Sequence, residues 1–357
     1  MYQIYPYIFA FLTTLLAIWL LTPFALHVGL VDEPSVRKKH TGAIPLIGGL
    51  AMFLAFTLTL LTLDVDILEL RSLIFAALIL VVVGVLDDHR EVGVYLRFGV
   101  QIFAVLIMTS TAGHAVVNLG DLMGAGEIEL GGWAIPFTVI AVVGGMNALN
   151  MSDGIDGLAG GLSLICFSSM FYLALDGGLL SESKVILVLM STLIAFLLFN
   201  LPLFGRKSAA IFMGDTGSMF LGFCLGWYFA VLCQGEHAVM TPVTTLWIFA
   251  VPTLDTVSIM LRRILKRQSP FQPDREHFHH VFQAAGFSSL KTLIIILIFQ
   301  LIMTIIGIAG YKYGVPEWIM FWGFMVIFAI FFWAMKRAWK IMRVLRKYGG
   351  EPKGDVA

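Results

Sequence analysis

The chain has 357 residues; 59% are hydrophobic and only 13% are Asp, Glu, Lys or Arg. Soluble domains carry about 25% charged residues, and a water-soluble core has no room for 29 Phe, 17 Met and 8 Trp in a chain of this length. This composition, with a mean hydropathy of +0.91, excludes a soluble enzyme, a disordered chain and a nucleic-acid binder and indicates a polytopic membrane protein; the net charge of zero by itself says nothing about partners.

The first apolar run, Tyr5 to His27, has no Lys or Arg before it, the first being Arg37, so it reads as a retained helix and not a cleaved signal. Ten further runs follow, and the eleven centre near residues 16, 54, 79, 105, 142, 167, 195, 225, 251, 301 and 326. A crossing helix needs about 20 apolar residues. The third run is expected to be short; the fifth and eighth abut Gly-rich polar motifs. The fold class is therefore an all-α polytopic integral membrane protein with about eleven transmembrane helices. One catalytic domain covers 1–335 and a basic cytoplasmic tail covers 336–357. Cys166, Cys224 and Cys233 lie in apolar stretches and read as packing residues.

Positive charges set the orientation. With the N-terminus outside, the inner stretches are 28–44, 87–97, 151–157, 204–216, 261–291 and the tail, and they hold 20 of the 23 Lys and Arg. Only Arg71, Lys184 and Lys312 fall outside. The N-terminus is thus expected to be periplasmic and the C-terminus cytoplasmic. The outer stretch 113–132 has no Lys or Arg, and its segments Val116–Leu119 and Glu127–Leu130 can pair as a short periplasmic hairpin around Gly124 and Gly126.

Four polar motifs stand out against this apolar background. Asp87–Asp88 closes the third run; it serves equally well as a solvated helix end or as a functional pair, and a continuing helix would put Asp87 and Glu91 on one face. An acid at a helix C-terminus opposes the macrodipole, which weakens the structural explanation. Asn147, Asn150, Asp153 and Asp156 recur every three residues, interleaved with Gly154 and Gly157, as expected for helical positions beside backbone that approaches a ligand. Amides and acids beside an apolar span are costly unless they bind something. Phe212 to Ser218 frames Asp215 with Gly214 and Gly217, so Asp215 reads either as a helix N-cap or as a carboxylate ligand for a hard cation. The long loop 269–280 carries Arg275, His277, His279 and His280. Its spacing is not that of an HExxH helix and no Cys is near, so zinc is not expected; basic groups there suit a diphosphate. Asp255 lies seven residues before Arg262, and it either pairs with that Arg or lines the site. The acids gather at one membrane boundary, whereas a transporter or flippase places them near mid-bilayer.

These motifs resemble the polyprenyl-phosphate N-acetylhexosamine-1-phosphate transferases, which include phospho-N-acetylmuramoyl-pentapeptide transferase. The chain is most similar to the bacterial branch acting on undecaprenyl phosphate and UDP-GlcNAc at the start of O-antigen and enterobacterial common antigen. The likeness is carried by Val31–Pro34, Arg37–His40, Ile44–Gly49, Asp87–Asp88, Asn147–Leu158, Phe212–Ser218, Pro270–His280 and Val315–Trp318. It implies transfer of GlcNAc-1-phosphate to undecaprenyl phosphate with release of UMP, with another UDP-N-acetylhexosamine donor as the alternative. It implies Mg²⁺, or Mn²⁺ in its place, on Asp215 and Asn150. Asp87 and Asp88 would lie near the lipid phosphate and Asp156 near the uracil. Asp153 and His279 join them as catalytic residues, while Asn147, Arg97, Lys39, Arg275, His277 and His280 join the substrate contacts. Direct attack by the lipid phosphate is preferred to a covalent aspartyl intermediate, which stays open. Phe278 interrupts the His run that is continuous in the muramoyl enzymes and argues against their donor. Partners are the two substrates and the bilayer, without nucleic acid, and a homodimer is left open.

Overall fold

The computed structural model describes residues 3–33, 42–65, 67–90, 92–203, 205–206, 208–269 and 277–337. Its helices in chain order are α1 (Tyr5–Val28), α2 (Gly48–Leu60), α3 (Ile67–Arg90), α4 (Val94–Ser110), α5 (Ala134–Ser152), α6 (Leu158–Asp176), α7 (Leu180–Asn200), α8 (Gly214–Cys233), α9 (Pro242–Ile248), α10 (Ala250–Leu265), α11 (Phe278–Ala284), α12 (Ser289–Lys312) and α13 (Glu317–Lys336). Eight of these elements are long and apolar enough to cross a membrane, and α9 with α10 forms a further, bent pair. The expected short third span is corrected. α3 has 24 residues, because the helix continues through polar residues at both ends of its apolar run. The short apolar helices are α2, with 13 residues, and α4, with 17.

α8 is the axis of the bundle and packs against α2, α3, α5 and α6. Lipid and side chains are equally apolar, so such helices associate through close packing, which small residues allow. A Cβ on Gly49 of α2 would collide with the backbone of Gly217 in α8, and one on Gly222 would come within 2.7 Å of Met146 Cα in α5. Phe53 then meets Phe220 edge-on, 5.6 Å between centroids. The outer helices α1 and α13 leave large apolar side chains such as Trp19 and Trp333 exposed, as a lipid-facing surface does.

Two short strands, β1 (Val31–Asp32) and β2 (Ile44–Pro45), pair antiparallel. Pro45 O accepts from Phe212 N–H at 2.9 Å, while Gly48 and Gly49 donate to Phe212 and Met213 carbonyls at 3.0 and 3.1 Å. This seam sets the start of α2 beside the start of α8. At the opposite end of the bundle the expected hairpin segments pair antiparallel about the bridge Asn118 to Glu129, with Leu119 N–H donating to Ile128 O at 3.0 Å and Leu130 N–H to Val117 O at 2.8 Å. Gln234 anchors it, accepting from Val117 and Asn118 N–H and donating to Asn118 O.

The break between α9 and α10 bends the chain by 87° at Phe249. Non-helical backbone in an apolar surrounding must find internal partners. Gln300 of α12, fully buried, supplies them: its Oε1 accepts from Val251 N–H at 2.8 Å and its Nε2 donates to Ile248 O at 2.7 Å. Cys166, Cys224 and Cys233 are buried free thiols.

Candidate active site

One end of the bundle collects the last turn of α3, the α5–α6 turn, the start of α8 and the α11 segment. Glu91, which a continuing helix would put on one face with Asp87, lies outside the described residues. Asp87 and Asp88 take different partners. Asp88 accepts from Asp215 N–H at 2.7 Å, Thr216 N–H at 3.1 Å and Thr216 Oγ1–H at 2.6 Å. It therefore caps the first turn of α8 from a neighbouring helix, which answers the macrodipole objection to its place on α3. Gly214 has φ +70°, and a Cβ there would collide with the Asp88 carboxylate. Met213, not Asp215, is the N-cap residue of α8, so Asp215 is released from the capping role.

Asp87 Oδ1 accepts from Val92 N–H at 2.6 Å, and its Oδ2 lies 3.1 Å from Arg97 Nη1. The same Nη1 lies 3.3 Å from Asp215 Oδ2. One guanidinium nitrogen thus bridges two carboxylates. The Asp87 side chain is 5% exposed, whereas Arg97 and Asp215 are 24% and 30% exposed, so those two remain open to substrate. Asn150 Nδ2 donates to Asp215 Oδ1 and, at 2.8 Å, to Ser218 Oγ.

Asn147 and Asn150 stand on the last turns of α5, but the helix ends at Ser152. Asp153 and Asp156 are therefore in the turn and not on a continuing helix, a correction to the three-residue periodicity. Asn147 Nδ2 donates to Gln101 Oε1 at 2.7 Å, tying α5 to α4. Asp156 Oδ2 accepts from Ala209 N–H at 2.8 Å. Asn200 Oδ1 accepts from Gly157 N–H at 2.8 Å and its Nδ2 donates to Ile211 O at 3.0 Å, fastening the same turn to the irregular segment that leads into α8. Burial pushes the Asp153 carboxyl up to about 7, and the charges of Asp215, Asp156 and Asp88 add to the rise. Among the described residues the carboxylates of Asp87, Asp88, Asp153, Asp156 and Asp215 outnumber the one guanidinium of Arg97 that meets them in the cluster.

The His segment meets this turn. His277 Nδ1 lies 2.9 Å from Asp255 Oδ2, and Asp255 Oδ1 accepts from Phe278 N–H at 3.0 Å. The His277 and His279 rings stack at 5.8 Å, and His280 lies 4.1 Å from His279. His279 is 2% exposed, its Nε2 has no hydrogen-bond partner, and a Cβ on Gly154 would collide with it. Burial, with His280 and His277 adding, holds its basicity far below the ordinary imidazole range. The positive charge expected from this loop therefore does not come from His279, which is a neutral ring packed on the Gly154 turn. Arg275 and Lys39 lie outside the described residues.

Residue spacing pointed to Asp87, Asp88, Asn147, Asn150, Asp153, Asp156 and Asp215. It missed Gln101 and Asn200, whose only signal is a polar residue within or at the end of an apolar run; Thr216 and Ser218 stood inside the Phe212–Ser218 motif without a role of their own. Asp255 meets His277, a partner that linear distance does not reveal.

Asp87–Asp88, Asn147 to Asp156 and Asp215 fall inside residues 70–233, which match the profile of glycosyl transferase family 4. The chain is 37% identical over 342 residues to the undecaprenyl-phosphate alpha-N-acetylglucosaminyl 1-phosphate transferase of Yersinia pestis, covering 96% of this chain and 93% of that one. It is 36% identical to the enzyme of that name from Escherichia coli strain K12, over 94% of this chain and 92% of that one. It is 37% identical to the Haemophilus influenzae enzyme, over 94% and 95%. With such identity sustained across nearly the full length of both partners, the chain belongs to the family of undecaprenyl-phosphate alpha-N-acetylglucosaminyl 1-phosphate transferases.

Proposed function

We propose that the protein transfers GlcNAc-1-phosphate from UDP-GlcNAc to undecaprenyl phosphate, giving undecaprenyl-diphospho-GlcNAc and UMP. The observation that carries this reading is the assembly of Asp87, Arg97, Asn150 and Asp215 into one hydrogen-bonded cluster at the ends of four apolar helices, α3, α4, α5 and α8. Such a place is reached by a lipid phosphate from the bilayer and by a nucleotide from water.

In the step, an oxygen of undecaprenyl phosphate attacks the β-phosphorus of the donor. The bond from that phosphorus to the bridging oxygen breaks, and UMP leaves with the electron pair. The attacking oxygen is already anionic near neutral pH, so the protein's task is alignment and charge balance. Arg97 is exposed enough to meet a phosphate, and Asp87 orients it. Asp88 is engaged by three donors, which leaves it poor as a nucleophile and supports direct attack. Asp156 and Asn200 hold the Gly154–Gly157 turn against residues 209–211, where the uridine is assigned.

The oxygen-rich donor set and the excess of carboxylate fit a hard divalent cation. Asp215 and Asn150 would hold Mg²⁺ or Mn²⁺, with Ser218 beside them. When bound, the ion supplies charge neutralisation at the diphosphate oxygens.

The same reading assigns eleven crossings over residues 1–335, the N-terminus outside, the active end and the tail from residue 336 in the cytoplasm, and the bacterial inner membrane as the location. It puts the enzyme at the first lipid-linked step of a surface polysaccharide such as O-antigen. The test is UMP release by the purified protein in Mg²⁺ buffer with a panel of UDP-sugars. Release that requires undecaprenyl phosphate and is greatest with UDP-GlcNAc is expected, and Asp215→Asn should abolish it while expression persists. Full turnover of that variant, or release independent of the lipid, would overturn the assignment.

A further inference from the structure

We infer that Asp255 is a positioning residue for transfer, acting through His277 to hold the His277–His280 segment against the Gly154 turn. The inference rests on the reading of that segment as part of the donor site.

Asp255 is 4% exposed and lies on α10, six residues beyond the break at Phe249 that turns this helix by 87° from α9. The bend carries a carboxylate to the far-separated His segment. A carboxylate has no proton to give, so the contact at 2.9 Å requires the proton on His277 Nδ1. That leaves Nε2 for a second partner. The other oxygen takes Phe278 N–H at 3.0 Å, so the same side chain sets both the ring and the backbone that begins α11. From there the contacts run on without a gap. His277 stacks on His279 with the rings 9° from parallel, and His279 packs on Gly154, between Asp153 and Asp156. A carboxylate that fixes an imidazole's tautomer and orientation recurs wherever a His must face substrate or metal in one way. Burying the acid at this depth is costly, and a purely structural role would be met more cheaply by an apolar residue.

Asn has one acceptor and one NH₂ in place of two acceptors. In Asp255→Asn, either Phe278 N–H loses its acceptor or the NH₂ donates to Nδ1, which sends the ring proton to Nε2. The effect of losing such an orienting partner is on the order of 10- to 100-fold.

The experiment is steady-state kinetics of Asp255→Asn, Asp255→Glu, His277→Ala and the Asp255→Asn/His277→Ala double variant, varying UDP-GlcNAc and undecaprenyl phosphate separately, with melting temperatures of each. Asp255→Asn should lower kcat/KM for UDP-GlcNAc at least about 10-fold while KM for undecaprenyl phosphate stays within about twofold. The double variant should be no worse than His277→Ala alone. Asp255→Glu, which keeps both acceptors, should recover part of the loss and stands in if Asp255→Asn does not fold. Additive losses in the double variant, or equal loss for both substrates, would overturn the positioning role alone. Unchanged donor kinetics in His277→Ala would overturn the donor-site reading and this inference together.

Discussion

Asp87 and Asp88 are adjacent in the chain, yet their surroundings divide their work. Asp88 is spent on three donors at the start of α8, and Asp87 is turned toward Arg97 and Asp215. Removing an acceptor from buried donors costs about 1–3 kcal/mol each when they are left unpaired. Asp88→Ala should therefore lower both melting temperature and turnover, because α8 loses the cap that sets Asp215. Asp87→Asn should keep the melting temperature and lose turnover. Circular dichroism melts beside activity check this, and equal melts for the two variants would refute the division. Asp153 makes a second, independent case. Its folded carboxyl titrates near 7 against an ordinary value of 3.8. The native state then holds this proton more tightly than the unfolded state, so the stabilisation is complete below 3.8 and is lost as pH rises through 7. Metal-free protein should melt lower at pH 8.5 than at pH 5.5, and Asp153→Asn should flatten that difference. An identical pH slope in parent and variant would mean that other groups carry it.

At the scale of elements, the parts legible in the sequence were those marked by contrast. Ten of the eleven apolar runs centre within a helix, while the run centred near 251 is broken at Phe249 into α9 and α10. Acids and amides against such a background announced themselves for the same reason. What stayed hidden depends on which elements meet. The bend between α9 and α10 needs Gln300, which in the sequence is one polar residue within the apolar run of α12. Asp153 and Asp156 read as helical positions because a period of three fits a helix, but Gly157 at φ +81° breaks the geometry and Asn200 takes its N–H. Asp88 looked like a helix end and proved to be another helix's cap. Gly49 and Gly217 stood out only within their own motifs, and nothing in the sequence paired them with each other. They matter only because Gly49 and Gly217 touch, bringing the segment after β2 alongside the segment before α8.

At the scale of the whole molecule, the open question is which end faces the cytoplasm, and geometry and charge bear on it separately. The eight long helices alone are an even number, which would return both termini to one side. If α2, α4 and the α9–α10 pair each also carry the chain from one end of the bundle to the other, the number becomes odd and the termini separate. The contacts at the two ends favour this. Lys184 of α7 reaches Asp64 O after α2, and Lys312 of α12 meets Asp176 of α6, so these four positions share the end opposite Asp215. Lys184 and Lys312 are two of the three cations that the charge count leaves outside, while the count assigns the other 20 of 23 to the inner stretches and the tail. Positive loops stay in the cytoplasm. Single cysteines at exposed positions report the answer directly, because the native thiols are buried. A membrane-impermeant maleimide applied to intact spheroplasts should label Ile4→Cys and His237→Cys. It should reach Gln268→Cys and Arg337→Cys only after the membrane is opened. The reverse pattern would invert the orientation and put the acids of the proposed site outside, away from a cytoplasmic nucleotide. Labelling of Ile4→Cys and Arg337→Cys from the same side would instead mean an even number of crossings, with one of the short helices or the bent pair failing to traverse.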